Sequence, residues 1–242
     1  MLRAMNDLPL ECLEGQTGGP DAQPVATLIV LHGLGADGSD FVPLARELDL
    51  SAIGPVRYVF PNAPIRPVTV NGGYPMPAWY DIYPPAGGDP AGARAEDEAG
   101  LREAADWVQQ LIDREVARGI PAKRVVLMGF SQGCAMTLMT GLRAPQRLAG
   151  LAGLSGYLPL AATLAAEASA ANRDVPLFLA HGSEDDVVVP ARGLATRDAL
   201  QAMGYGVAWH SYPMGHTMCP EEVADLQAWL LQVLQVLQVP RA

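Results

Sequence analysis

The sequence predicts an α/β fold, a mostly parallel central sheet with helices on both faces, in one domain spanning residues 1–242. Two observations carry this. Apolar runs at 25–31, 56–60, 125–130, 148–154, 177–180 and 207–212 read as strands separated by helix-like stretches, and such alternation lays successive strands in parallel beneath covering helices. Half of the 242 residues are hydrophobic, enough for a substantial core and too many for a disordered chain.

Taken in order, the first run ends in the glycine-rich loop Leu31-His32-Gly33-Leu34-Gly35-Ala36. After the second run the composition shifts, with eight prolines between Pro61 and Pro90 together with Tyr74, Trp79, Tyr80 and Tyr83. That is poor material for regular structure and good material for a stiff, shaped loop, so residues 61–95 are read as a wall over a functional site. A helix follows over 96–118: Glu96, Asp97 and Glu98 suit its positive N-terminal end, Leu101, Ala104, Val108, Leu111 and Ile112 form one apolar stripe, and Gly119 and Pro121 stop it. The run Val125–Met128 leads into Gly129-Phe130-Ser131-Gln132-Gly133, and Cys134 to Met139 continues as a helix before Gly141 and Pro145. Near the C-terminus, Ala224 to Val239 carries Leu-Gln-Val three times, from Leu231, Leu234 and Leu237. Its apolar positions cover most of a helix circumference, which predicts burial against its own sheet, with a homodimer contact as a second reading.

The Gly-x-Ser-x-Gly pentapeptide marks Ser131 as the nucleophile of an ester-cleaving enzyme. A serine lifted above a sheet edge sits on a turn so tight that a Cβ two residues to either side would collide, and glycines at 129 and 133 remove those collisions. Its hydroxyl needs a base, and the base needs an acid to fix its tautomer. In sheet hydrolases with such a turn the chain order is Ser, acid, His. Of the four histidines, His32 lies upstream of the serine, His181 has no acid after a strand before it, and His210 lies within a strand. His216 remains as the base, just after the last strand and just before a helix. Leu177–Ala180 is followed by His181-Gly182-Ser183-Glu184-Asp185-Asp186, three carboxylates directly beyond a strand, and spacing leaves Asp185 and Asp186 open as the acid. Negative charge on the former carbonyl oxygen calls for backbone donors. The N–H of Gln132, the residue after the nucleophile, supplies one, and that of Leu34 in the early glycine-rich loop supplies the other.

Composition excludes other classes. A net charge of −10 and no clustered Lys or Arg argue against a nucleic-acid groove. Cys12, Cys134 and Cys219 are too few and scattered for a disulfide framework, and none forms a Cys-x-x-Cys metal pair. The N-terminal residues lack the apolar stretch of a secretory signal, and no run is long enough to span a bilayer. The expectation is a cytoplasmic protein with no metal, no organic cofactor and no stable membrane insertion. Gly33-Leu34-Gly35-Ala36-Asp37-Gly38 does match the dinucleotide fingerprint Gly-x-Gly-x-x-Gly, which suggests an oxidoreductase instead. That fingerprint also needs an acid about 20 positions on, where this chain reads Val59-Phe60-Pro61-Asn62. A non-catalytic binding protein on a hydrolase fold is the third reading.

Several blocks together resemble the carboxylesterase, acyl-protein thioesterase and lysophospholipase family of the α/β-hydrolase superfamily: Leu31 to Gly38, Pro61-Asn62-Ala63-Pro64, Pro77 to Ile82, Gly129 to Gly133, Leu154 to Pro159, His181 to Pro190, and Gly215-His216. The resemblance runs from Thr27 to Leu230 and leaves residues 1–24 and the Leu-Gln-Val tail unmatched. It implies the α/β-hydrolase fold and an ester or thioester substrate, either a small molecule or a lipid. It implies Asp185 as the triad acid, the fourth residue after the histidine of its His-Gly block, and Leu34 and Gln132 as oxyanion donors. It also implies that the loop carrying Trp79 borders the acyl pocket, with Trp79 as a substrate-pocket residue.

Overall fold

The computed structural model of the chain describes residues 10–88 and 95–235. In chain order the elements are β1 (Cys12–Gln16), β2 (Ala26–Leu31), α1 (Val42–Glu47), β3 (Val56–Pro61), β4 (Ile65–Val68), β5 (Tyr74–Pro77), α2 (Glu98–Ala117), β6 (Val125–Phe130), α3 (Gln132–Gly141), β7 (Gly150–Leu154), α4 (Ala161–Glu167), β8 (Leu177–Gly182), α5 (Pro190–Ala202), β9 (Val207–Tyr212) and α6 (Pro220–Gln235). The central sheet runs β1-β3-β2-β6-β7-β8-β9. Only β1 pairs antiparallel, with β3, and the rest is parallel, as the alternation predicted.

Strand alternation divides the core into two layers. Ile29, Leu31, Leu127, Leu151 and Leu179 pack on one side with side chains of α2, α3, α4 and α5. Their neighbours Leu28, Val30, Val126, Met128, Ala152 and Phe178 pack on the other with α1 and α6. Because both faces are covered, successive side chains are apolar in either direction and the strands read as continuous runs.

Helix α2 starts two residues later than its acidic cluster suggested. Glu96 forms a bridge with Ile82, and Asp97 caps the helix by accepting from the Gly100 N–H at 3.0 Å. The predicted stripe of Leu101, Ala104, Val108, Leu111 and Ile112 is buried, each large aliphatic side chain contributing roughly 1.5–3 kcal/mol as an upper estimate. Helix α3 is buried at every position, so it has no polar face to reveal it by periodicity. Helix α6 buries Leu226, Trp229, Leu230, Val233 and Leu234 against the second layer. This is the first of the two readings of the Leu-Gln-Val segment, and the repeat from Leu237 lies outside the described residues. In the first turn of α6, Glu222 is fully buried with neither carboxylate oxygen in a close hydrogen bond, and burial pushes its carboxyl up to about 8. Among the described residues no helix is long and apolar enough to cross a membrane.

The proline-rich segment departs from expectation. Rather than an irregular loop throughout, it contains the antiparallel hairpin β4–β5, in which Pro67 faces Pro75. A two-stranded ribbon accepts prolines because each strand keeps a free edge where no N–H is required. Residues 89–94 of that segment lie outside the described residues. Strand β1 was also not foreseen: Cys12-Leu13-Glu14-Gly15-Gln16 is largely exposed and pairs on one side only, so it carries no apolar signature.

Candidate active site

β2 and β6 are adjacent and parallel, with Leu31 opposite Gly129, so the loops that follow them leave the sheet's C-terminal edge side by side. Open α/β sheets place their sites at this edge. Ser131 adopts φ 56° and ψ −116° between β6 and α3, a positive φ that costs a non-glycine residue about 1–3 kcal/mol and persists only when its surroundings enforce it. They do so by contact. A Cβ on Gly129 would lie 2.2 Å from the Gly133 carbonyl oxygen, and one on Gly133 would lie 2.0 Å from the Leu31 carbonyl oxygen. The two glycines are therefore space requirements of the turn, as the pentapeptide suggested.

Loops after β8 and β9 supply the remaining groups. His216 Nε2 lies 2.9 Å from Ser131 Oγ, and His216 Nδ1 lies 2.7 Å from Asp185 Oδ2. The Asp185 carboxylate is buried, and its Oδ1 accepts from the N–H groups of Val187 and Val188 at 2.9 and 2.8 Å. Its neighbours Glu184 and Asp186 are exposed. Of the two acids that spacing left open, Asp185 is thus the one beside His216, and it is held in register by its own loop. The Phe130 ring packs 4.7 Å from the His216 ring, centroid to centroid, fixing its other side.

The two buried histidines set aside as bases are occupied elsewhere. His32 donates from Nδ1 to the Gly33 carbonyl at 2.7 Å and accepts the Ala63 N–H on Nε2 at 3.0 Å. His181 Nε2 donates to the Val188 carbonyl at 2.7 Å. Burial lowers the pKa of both, so each is a neutral, fixed hydrogen-bonding ring near neutral pH.

Leu34 and Gln132 border the same cleft as Ser131 and His216. In the upstream loop the Gly35 N–H donates to Pro77 and the Ala36 N–H to Gly33, while among the described residues no acceptor receives the Leu34 N–H. Gln132 is the first residue of α3, where an N–H has no intrahelical acceptor. Both donors are therefore available to a ligand. The dinucleotide reading finds no support at this loop: Asn62, at the position where an acid was required, accepts the Gly38 N–H at 2.8 Å and ties the loop to the end of β3.

Trp79 needs a correction. Expected to border the acyl pocket, it is fully buried and does not line the cleft. Its indole Nε1 donates to the His32 carbonyl at 2.9 Å, its backbone N–H donates to Gln132 Oε1 at 2.8 Å, and Gln132 Nε2 donates to the Tyr80 carbonyl at 2.8 Å. A buried indole N–H needs a partner, and here the partners tie the Leu34 loop to the Gln132 turn. The wall is instead formed by neighbours of Trp79. Val70, Asn71, Tyr80 and Ile82 from the proline-rich segment line, together with Phe130, Val187 and Met218, a cleft of about 640 Å³. Arg192 and Tyr157 also line it. Sequence reasoning missed Arg192, which belongs to no motif, while Val70 and Val187 were signalled only by lying in the 61–95 segment and in the block His181 to Pro190. Tyr157 was signalled only by lying in the block Leu154 to Pro159.

A family model described as phospholipase/carboxylesterase matches residues 16–234. The chain is 41% identical over 217 residues to acyl-protein thioesterase 1 of Neurospora crassa, covering 88% of this chain and 89% of that protein. It is 42% identical over 226 residues to the protein of that name in Mycosarcoma maydis, with 88% and 92% covered. Among solved structures, Zea mays acyl-protein thioesterase 2 superposes with a TM-score of 0.78 at 33% identity, covering 92% of this chain and 99% of that one. Arabidopsis thaliana SOBER1 superposes with a TM-score of 0.79 at 30% identity, with 86% and 99% covered. With the fold, the Ser131 turn and these relatives in agreement, the chain belongs to the phospholipase/carboxylesterase family of α/β-hydrolases and is a hydrolase of the esterase or thioesterase kind.

Proposed function

We propose that the protein hydrolyses carboxylic esters, and thioesters by the same route, through an acyl-enzyme on Ser131. The observation that carries this reading is the continuous relay from Ser131 Oγ through His216 to Asp185, with contacts of 2.9 and 2.7 Å. Those distances lie within the range for proton transfer along a hydrogen bond. With Nδ1–H donating to Asp185, His216 presents its unprotonated Nε2 to the serine. Oγ attacks the carbonyl carbon as its proton passes to Nε2, and the carbonyl π electrons move onto oxygen between the Leu34 and Gln132 N–H groups. Asp185 stabilises the imidazolium and is not itself protonated. Collapse of the tetrahedral intermediate breaks the bond to the leaving group, which departs with the Nε2 proton. Water then gives a proton to Nε2, attacks the acyl carbon and releases the acid, and the proton returns to Oγ.

The apolar lining groups Val70, Ile82, Phe130, Val187 and Met218 suit an acyl chain. The cleft volume falls within the ~300–1,000 Å³ of small-molecule sites, which favours short to medium acyl groups. The names of the thioesterase relatives bring acyl thioesters within the proposed range. A fluorophosphonate probe tests the core of the reading: covalent labelling of wild type that is absent in Ser131→Ala is expected. A folded wild-type protein that resists the probe favours the non-catalytic binding reading. Nitrophenyl esters of increasing length then define the acyl range, and a steep fall after acetyl would rule out medium chains.

A further inference from the structure

Arg192 is the cleft's one permanent cation among the described residues. Its placement is unlike that of the arginines that hold the fold together. Arg57, Arg102, Arg114, Arg118, Arg143 and Arg147 each meet a carboxylate. Among the described residues no carboxylate lies within ion-pair distance of Arg192, and no acceptor receives its side-chain N–H groups. Its guanidinium carbon instead lies 3.5 Å from the centroid of the Tyr157 ring, and Tyr157 is fixed in turn by a 2.7 Å hydrogen bond between its hydroxyl and that of Tyr80. Stacking uses the face of a guanidinium and leaves its donors at the rim. A rigid cation with unspent donors therefore sits in the same cleft as Ser131.

Two further features argue against a purely structural role. Arg192 occupies the first turn of α5, where the helix dipole disfavours a cation, and no acidic residue in that turn offsets it. The backbone beside it is also locked to the relay. A Cβ on Gly193 would come within 2.4 Å of His181 Nδ1, and His181 lies 3.4 Å from Asp185. The other formal charge in the cleft, Asp40, is exposed and comes from the loop after β2, whereas Arg192 follows β8. In the sheet these strands lie on opposite sides of β6, so the cleft is electrically polarised across the serine.

We propose that Arg192 is a specificity residue that binds a carboxylate carried by the ester substrate, pairing with it through two N–H groups at the guanidinium rim. Planar guanidinium and carboxylate match in this geometry, and a local cation offsets the repulsion that a chain of net charge −10 exerts on an anion. This assignment rests on the esterase reading above.

The test compares wild type, Arg192→Gln and Arg192→Lys on two matched pairs. One pair carries the anion on the acyl side, mono-4-nitrophenyl adipate against 4-nitrophenyl hexanoate. The other carries it on the leaving group, the hexanoyl ester of 4-hydroxybenzoate against that of its methyl ester. In one pair, Arg192→Gln is expected to lower the anionic-to-neutral ratio of kcat/KM at least tenfold, through KM, with Arg192→Lys intermediate and the wild-type ratio falling as salt is added. The pair that responds identifies which side of the ester bears the carboxylate. An unchanged ratio in both pairs, or equal losses on charged and neutral members, overturns the assignment and leaves Arg192 a packing residue. Calorimetric binding of adipate separates this from failure of the esterase reading. Affinity at least tenfold weaker in Arg192→Gln supports the carboxylate site even if no ester turns over, and equal affinity overturns it.

Discussion

The turns after β2 and β6 begin from paired residues, Leu31 and Gly129, yet they use glycine for opposite reasons. In the β6 turn the glycines at 129 and 133 provide room, because a Cβ on either would strike backbone, while Ser131 between them takes the positive φ. In the β2 turn the positive φ, +75°, belongs to Gly35, whose surroundings are open enough that the nearest contact for a Cβ is Met76 Sδ at 3.6 Å. Presenting a side chain at a sheet edge thus demands a strained serine clamped by two crowded glycines. The loop that presents a backbone N–H reverses on the Gly35 dihedral and is crowded only at its far end, where a Cβ on Gly38 would lie 2.6 Å from the Phe60 carbonyl oxygen.

The strongest way to break this comparison is Ser131→Ala. If the β6 turn exists to expose that hydroxyl, kcat falls by about 10⁶ while the protein still unfolds cooperatively, and a loss below a thousandfold in steady-state assays would contradict it. Asp185→Asn comes next: an amide beside His216 Nδ1 favours the wrong tautomer and is expected to reduce kcat by about 10⁴. Asp186→Asn, changing an exposed neighbour, should leave kcat near wild type, and the reverse ranking would remove Asp185 from the relay. The distinction between space and dihedral is sharpened by urea unfolding of Gly133→Ala and Gly35→Ala. The first places a methyl 2.0 Å from a carbonyl oxygen and is expected to cost upwards of about 3 kcal/mol, beyond ordinary overpacking. The second costs about 1–2 kcal/mol for the left-handed backbone. Equal costs would erase the difference between the turns.

A change outside both turns sets the baseline. Burial raises the Glu222 carboxyl from its ordinary 4.5 to about 8, so between those values the unfolded chain loses its proton before the folded one does. Stability therefore declines as pH climbs from about 4.5 to about 8 and levels off beyond. Glu222→Gln is expected to show no Tm advantage near pH 4 and a rising one up to about pH 8. A Tm difference independent of pH would mean that the carboxyl is not buried as described.

Ser131 and His216 were legible in the sequence because each follows a strand in a fixed order, whereas that order left Asp185 and Asp186 open and only the family resemblance implied Asp185, the acid found 2.7 Å from His216. Parallel strands were legible because both faces are buried. The signals failed where physical context overrides local composition. Prolines in the 61–77 stretch suggested irregular backbone, yet a two-stranded ribbon tolerates them. Trp79 was placed at the pocket by the family resemblance, but its donors are consumed in tying the Leu34 loop to the Gln132 turn. Arg192 gave no signal, since nothing in the sequence says that the strand and helix around it will carry a lone cation to a cleft whose lining residues are gathered from Gly33 to Met218.

The pairing that sets Leu31 against Gly129 also joins segments about a hundred positions apart in sequence, the longest-range contact between neighbouring strands of the sheet. Local helices form early in folding, but closing such a distance is slow because its entropic cost precedes its reward. In the proposed mechanism, Ser131 gains the Leu34 N–H only when that closure occurs, and His216 only when β8 and β9 have added to the growing edge. Reactivity toward an active-site probe is therefore a clock for folding. During refolding it should rise with the last native phase, after helical circular dichroism has already recovered, so a chain halted at any earlier stage should resist the probe.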